Sequence, residues 1–215
     1  MPEAIGVFGG TFDPVHFGHL RLAEEACAAL GLAQVLWVPA GRPPHRAAPH
    51  ASGAHRLQMV RLAIAGNPRF ALDPAETESG SESYTVDTLA RLRRRFGPTR
   101  PLVFLLGADA FAALPAWHRW RELFQLAHLA VATRPQSSLA PDALPPALAG
   151  EWRARLQQDA RALAGVAAGR IVSFDITALD IAATHVREAL IAGRSPRYLL
   201  PDPVLDYIDR NHLYT

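Results

Sequence analysis

An α/β protein built on a parallel sheet with helices on both faces is predicted for this 215-residue chain. Three observations carry that expectation. Short continuous apolar runs alternate with amphipathic stretches along the chain, and apolar runs of this kind fit strands buried on both faces of a parallel sheet. Hydrophobic residues make up 49% of the chain and charged residues 20%, which supports a core and argues against disorder. The motifs rich in Gly, His and Arg fall just after apolar runs, where a parallel sheet presents its ligands.

The elements follow in order. Residues 5–8 read as the first strand, ended by Gly9 and Gly10, and Phe17–Leu30 as an amphipathic helix with Cys27 as a core residue. Residues 35–38 form a second strand and 39–52 a loop rich in Pro, His and Arg. A helix over 53–65 and a short strand over 70–73 come next, then a helix over 83–96 capped by Ser83. The apolar run 102–106 is a strand that leads into Gly107-Ala108-Asp109. Strands over 129–132 and 171–174 flank a connection over 135–150 and a helix over 151–163. Helices over 184–192 and 204–211 close the chain. The length suits one domain, 1–215, with a small helical part from about 180 onward.

Composition excludes several classes of chemistry. All 22 basic residues are arginine. A Walker A lysine, a Schiff-base lysine and a lysine-bearing synthetase loop are therefore excluded, and any phosphate must be met by Arg, His and backbone amides. The single Cys27 excludes an internal disulfide and a Cys-rich zinc site, and fits a reducing, cytoplasmic setting. No run of about 18 apolar residues predicts a membrane span, and no basic leader predicts a signal peptide. Net charge is +2 and the arginines are spread out. The dense run 91–95 reads as a solvated helix face, so neither nucleic acid nor membrane is an expected partner.

The segment Gly9-Gly10-Thr11-Phe12-Asp13-Pro14-Val15-His16-Phe17-Gly18-His19 concentrates the chemistry. Glycines let an anion approach the backbone, and the amides at a helix N-terminus attract it. His16 and His19, three apart, share a helix face and can address one phosphate. Zinc is disfavoured, because no third ligand stands beside them.

This segment resembles the signature of the HxGH nucleotidyltransferases, and nearly the whole chain is similar to one branch, the bacterial nicotinate-nucleotide adenylyltransferases. Pro43-Pro44-His45-Arg46, Ser83-Tyr84-Thr85-Val86-Asp87-Thr88-Leu89, Gly107-Ala108-Asp109 with Trp117, Ile181-Ala182-Ala183-Thr184-His185-Val186-Arg187 and Leu200-Pro201-Asp202-Pro203-Val204 carry the likeness. The resemblance implies a Rossmann-like nucleotidyltransferase fold. It also implies transfer of AMP from ATP to nicotinic acid mononucleotide (NaMN), releasing pyrophosphate, with Mg²⁺ arriving on ATP. His16, His19 and Arg187 become the expected catalytic residues. Gly9, Gly10, Thr11, Phe12, Gly18, Arg134, Ile181 and Thr184 join them as ATP contacts. Asp13, Arg46, Tyr84, Thr85, Asp109 and Trp117 are expected to hold NaMN, with Leu114 and Pro115 shaping the wall and Trp120 in the core. Ala182 stands where the family often has serine, so one hydroxyl contact to phosphate is absent. A homo-oligomer is compatible with all this. The alternatives are another acceptor, nicotinamide mononucleotide or phosphopantetheine, and a nucleotide-binding module without turnover.

Overall fold

The computed structural model describes residues 3–42, 48–80, 82–133 and 141–215. Six strands, β1 (Ile5–Gly10), β2 (Gln34–Pro39), β3 (Phe70–Leu72), β4 (Leu102–Gly107), β5 (His128–Thr133) and β6 (Ile171–Asp175), form one sheet. Their order is β3-β2-β1-β4-β5-β6, and all neighbours run parallel. The order reverses direction between β1 and β4, which makes the crevice beyond their C-terminal ends the expected ligand position.

Strand periodicity sorts the core into two faces. In β4, Val103 and Leu105 pack on one side with Cys27, Met59, Val186 and Ile208, from α1 (Phe17–Leu30), α2 (Gly53–Ile64), α8 (Ala183–Ile191) and α9 (Asp202–Arg210). Leu102, Phe104 and Leu106 face the other way, onto Leu89, Phe111, Leu123 and Trp152. Those residues come from α4 (Thr85–Phe96), α5 (Ala108–Ala112), α6 (Leu123–Leu126) and α7 (Pro146–Arg155). Trp120 is buried on this face, as expected from the sequence.

Several boundaries differ from the sequence reading, each for a local reason. β1 runs through Gly9 and Gly10, which stay paired with Val38 and Pro39 of β2. Ser83 does not cap α4; Tyr84 occupies the N-cap, and the Ser83 hydroxyl accepts the Gly41 N–H at 3.2 Å. The expected helix over 151–163 is divided: α7 ends at Arg155, Leu156 bridges to Ile171, and a 3₁₀ turn follows at Ala160–Leu163. Part of 135–150 is ordered helix, because Pro146 suits a first helical turn and Leu148 and Ala149 are buried. The short α3 (Ala75–Ser79), α5 and α6 escaped the sequence reading, being too brief to show a period.

Arginine has an unexpected structural use. Arg91 pairs bidentately with the buried Asp73 carboxylate at 2.8 and 3.0 Å, tying the end of β3 to α4. Arg93 donates to the carbonyls of Leu126, Gly97, Arg100 and Ala167. The run 91–95 is thus only partly a solvated face: these two guanidiniums are recruited by acceptors inside. Arg56 is 1% exposed and donates to four carbonyls: Ala51 at 3.2 Å, Thr11 at 2.8 Å, Ala40 at 2.6 Å and Gly41 at 3.0 Å. A guanidinium has five donors and no acceptor, which suits this convergence. Replacing Arg56 by Met removes those donors from carbonyls around a buried position. The expected loss is about 3 kcal/mol of unfolding free energy, read from urea denaturation; a variant as stable as the parent would contradict this role.

Candidate active site

The β1–α1 turn delivers the two histidines. His16 is the N-cap of α1 in extended backbone conformation, and His19 lies one turn inside. Their rings stack with centroids 3.7 Å apart and planes 29° apart. The His16 backbone N–H donates to His19 Nδ1 at 3.2 Å. A neutral imidazole whose Nδ1 accepts carries its proton on Nε2, so His19 keeps an Nε2–H donor. His16 Nδ1 is buried without a hydrogen-bond partner among the described residues. Gly18 permits the stack, because a Cβ there would sit 3.0 Å from His16 Nδ1 and 3.6 Å from the Ile181 carbonyl oxygen.

That last contact brings the second motif to the first. Ala182 is the N-cap of α8 and makes no side-chain cap, so the helix begins without the hydroxyl that a serine would supply. Arg187 donates to the Asp13 carbonyl at 2.7 Å and to the Thr184 hydroxyl at 3.2 Å. The N-termini of α1 and α8, each a favourable place for negative charge, therefore flank one region.

A cleft of about 230 Å³ opens at the switch point. Its lining includes Gly9, Gly10, Thr11, Tyr84, Thr85 and Trp117. Trp117 meets Phe104 edge-on at 6.1 Å. Thr85 opens α4, whose first amides lack intrahelical acceptors. A Cβ on Gly10 would lie 2.9 Å from the Phe12 ring. Two cleft residues were not anticipated. His118 packs against Tyr84 with ring centroids 4.5 Å apart. Glu76 joins both rims, accepting from Thr88 Oγ1 at 2.5 Å and from the Gly41 N–H at 3.4 Å. Burial raises the Glu76 carboxyl above the ordinary carboxylate range, opposed by those hydrogen bonds. Neither residue belongs to a spacing that marks it in the sequence.

Other expected residues are placed differently. The Phe12 ring is core, 2% exposed and edge-on to His19 at 5.1 Å. The buried Asp13 carboxylate does not line the cleft. It accepts from the amides of His50 (2.7 Å) and Ala51 (3.1 Å) and from the Tyr214 hydroxyl (2.7 Å). Asp109 is an exposed residue of the first turn of α5, also outside the cleft lining. Leu114 is fully buried in the core and does not reach the cleft wall. Arg46, with the rest of Pro43-Pro44-His45-Arg46, and Arg134 lie outside the described residues.

Burial sets the charge of the histidines. Desolvation lowers His16 from the ordinary 6.5 to about 4. It lowers His19 well below its ordinary value, with the neighbouring His16 adding to the effect. At neutral pH the pair is therefore uncharged.

Comparison with known proteins fixes the family. A cytidylyltransferase-like family model matches residues 7–189. The chain is 56% identical over 214 residues to a probable nicotinate-nucleotide adenylyltransferase of Dechloromonas aromatica, covering 100% of this chain and 99% of the relative. A like-named protein of Laribacter hongkongensis is 49% identical, covering 98% of this chain and 94% of its own. The chain belongs to the nicotinate-nucleotide adenylyltransferase family. Among solved structures, the nicotinic acid mononucleotide adenylyltransferase of Plasmodium falciparum has the same fold. Its complex with NaAD gives a TM-score of 0.73 at 17% identity, covering 99% of this chain and 97% of that one. Its complex with APC gives 0.72 at 16% identity.

The uncharged imidazole pair gives this family member an acid-sensitive fold. The unfolded chain takes up a proton at His16 near pH 6.5, whereas the folded chain does so near pH 4. Stability is thus present above 6.5 and lost as pH falls toward 4. His16 alone contributes a loss of about 2 kcal/mol between pH 7 and pH 5. His19 and the buried His128, also lowered by desolvation, act in the same direction. In urea melts at the two pH values, His16→Asn should lose about 2 kcal/mol less than the parent; parallel losses would contradict a neutral, desolvated His16.

Proposed function

We propose that the whole chain acts as one unit that transfers AMP from ATP to NaMN, giving nicotinic acid adenine dinucleotide (NaAD) and pyrophosphate. The observation that carries this reading is a juxtaposition. Stacked, uncharged imidazoles stand at the helix N-terminus on one side of the Gly9-Gly10 strand end, and a Trp-walled cleft lies on the other. The first suits a triphosphate, the second a flat acceptor ring.

In this reading a 5′-phosphate oxygen of NaMN attacks the α-phosphorus of ATP. The new P–O bond forms as the bond to the β-phosphate oxygen breaks, and pyrophosphate leaves with the electron pair. The attacking oxygen is already an anion, so no base is required; alignment and charge stabilisation do the work. His19 Nε2–H, with its tautomer set by the His16 amide, donates to a phosphoryl oxygen as charge develops there. Arg187 and the α8 N-terminus hold the departing pyrophosphate. Trp117 stacks on the pyridine ring, and the first amides of α4 receive its carboxylate, favouring the acid over the amide. Arg46 meets the acceptor phosphate and Arg134 the adenine.

ATP is taken up as its Mg²⁺ complex. Among the described residues no cluster of three or more His, Cys, Asp or Glu is placed to hold an ion. The ion neutralises phosphate charge. Among the described residues no helix is long and apolar enough to cross a membrane.

The test is pyrophosphate release from Mg²⁺ and ATP with a panel of acceptors. NaMN should support turnover and nicotinamide mononucleotide much less; release with a different acceptor alone would overturn the substrate. His19→Ala should lower kcat by about 10²–10³ while the protein stays folded, and near-parental turnover would remove His19 from the mechanism. Trp117→Ala should raise KM for NaMN several-fold more than KM for ATP; an equal rise would make Trp117 a packing residue.

A further inference from the structure

The penultimate residue of the chain reaches the turn that carries the histidines. Tyr214 donates its hydroxyl to Asp13 Oδ1 at 2.7 Å, across 201 positions of sequence. Asp13 lies three residues before His16. Its carboxylate is saturated: besides Tyr214 it takes the amides of His50 and Ala51, with His50 Nδ1 3.4 Å away. Its backbone carbonyl takes the Arg187 guanidinium at 2.7 Å. One residue thus links the end of the chain, the entry to α2, and the arginine opposite the imidazoles.

The tail is shaped for this contact. After α9 it turns twice through the left-handed region, at His212 (φ +51°) and Tyr214 (φ +63°). Side chains other than glycine adopt that region at a cost, so the contacts made there must hold it. Leu213 and Tyr214 pack against the same core face as α1 and α8, and the Leu213 amide returns to the Ile208 carbonyl at 3.1 Å. Burial first, and then the bond to Asp13, raise the Tyr214 phenol far above its ordinary value, so its proton stays available as a donor.

We propose that Tyr214 is a positioning residue: through Asp13 it holds Arg187 and the β1–α1 turn in register for the triphosphate. Tyr214 touches no substrate in this arrangement. The Trp117 wall is built from β4, α4 and the segment after α5, none of which Asp13 touches, whereas Arg187 is bound to Asp13 directly; the larger effect therefore falls on the nucleotide side, although Gly9, Gly10 and Thr11 of the same turn also line the cleft. The proposal rests on the adenylyltransferase reading for what the aligned groups bind.

Tyr214→Phe removes the hydroxyl and keeps the ring. Its KM for ATP should rise about tenfold, the size expected for losing a hydrogen bond to a carboxylate, while KM for NaMN stays within about twofold. Deleting Tyr214 and Thr215 together should reproduce that split, and deleting Thr215 alone should leave both constants unchanged. Calorimetric titration with a non-hydrolysable ATP analogue should show the same weakening without turnover. A merely structural tyrosine would lower the melting temperature and the active fraction but move neither KM, and that result overturns the proposal. So does an equal rise in both constants. Were the parent to bind the analogue yet fail to turn over NaMN, the functional reading would fall and the calorimetric ratio would still decide the role of Tyr214. A parent that bound no analogue would overturn both.

Discussion

The turn between Thr11 and His16 leaves the sheet with carbonyls pointing inward, and buried carbonyls need donors. Two guanidiniums supply them, Arg56 at Thr11 and Arg187 at Asp13. Much else follows from this. The same Arg56 holds Ala40 and Gly41, so the turn that presents the histidines and the opposite rim of the cleft share one fastening. A lysine could not substitute, because a point charge on a flexible stem does not bridge carbonyls from separate segments as a rigid fork does. In a chain without lysine, arginine is both the internal fastener and the cation available to phosphate.

The fastened turn imposes an electrostatic state. Two positive charges 3.7 Å apart repel by about 4 kcal/mol at an effective dielectric near 20, and both rings also lose solvation. The pair therefore rests uncharged, as the lowered values of His16 and His19 describe. An uncharged ring still donates, so in the proposed reaction His19 would offer an oriented N–H to phosphate without rearranging. A bound polyanion adds negative charge and raises the affinity of both rings for protons. The arrangement is thus more complementary to a highly charged ligand than to water.

Much of this was legible in the sequence. The six strands and the long helices followed from apolar periodicity, and α1 was read to its residue boundaries because its pattern is uninterrupted between a glycine-rich turn and Gly31. The contacts within the His16–His19 pair and the Thr184–Arg187 element were legible because each depends on fixed local spacing. What escaped depends on distant partners. Nothing near Asp13 says that its carboxylate will be claimed by Tyr214, and nothing near Arg56 says that it will be buried among carbonyls. Ser83 looked like a cap because serine before a helix usually is one; the Gly41 amide claimed its hydroxyl instead. Glu76 reaches the cleft from a five-residue helix with no periodic signal.

The glycines of the motif can be explained twice over, and the two explanations converge. In the proposed reading a bare backbone at Gly10 would admit a phosphate, but packing demands it as well. A Cβ there would press on Phe12, a core ring that cannot retreat and that itself lies against His19. At Gly18 a Cβ would press on His16 and oblige that ring of the stack to shift. The pattern of two histidines around one glycine is therefore a packing solution before it is a chemical one. The proposed chemistry at the phosphate would inherit that geometry from the core beneath it.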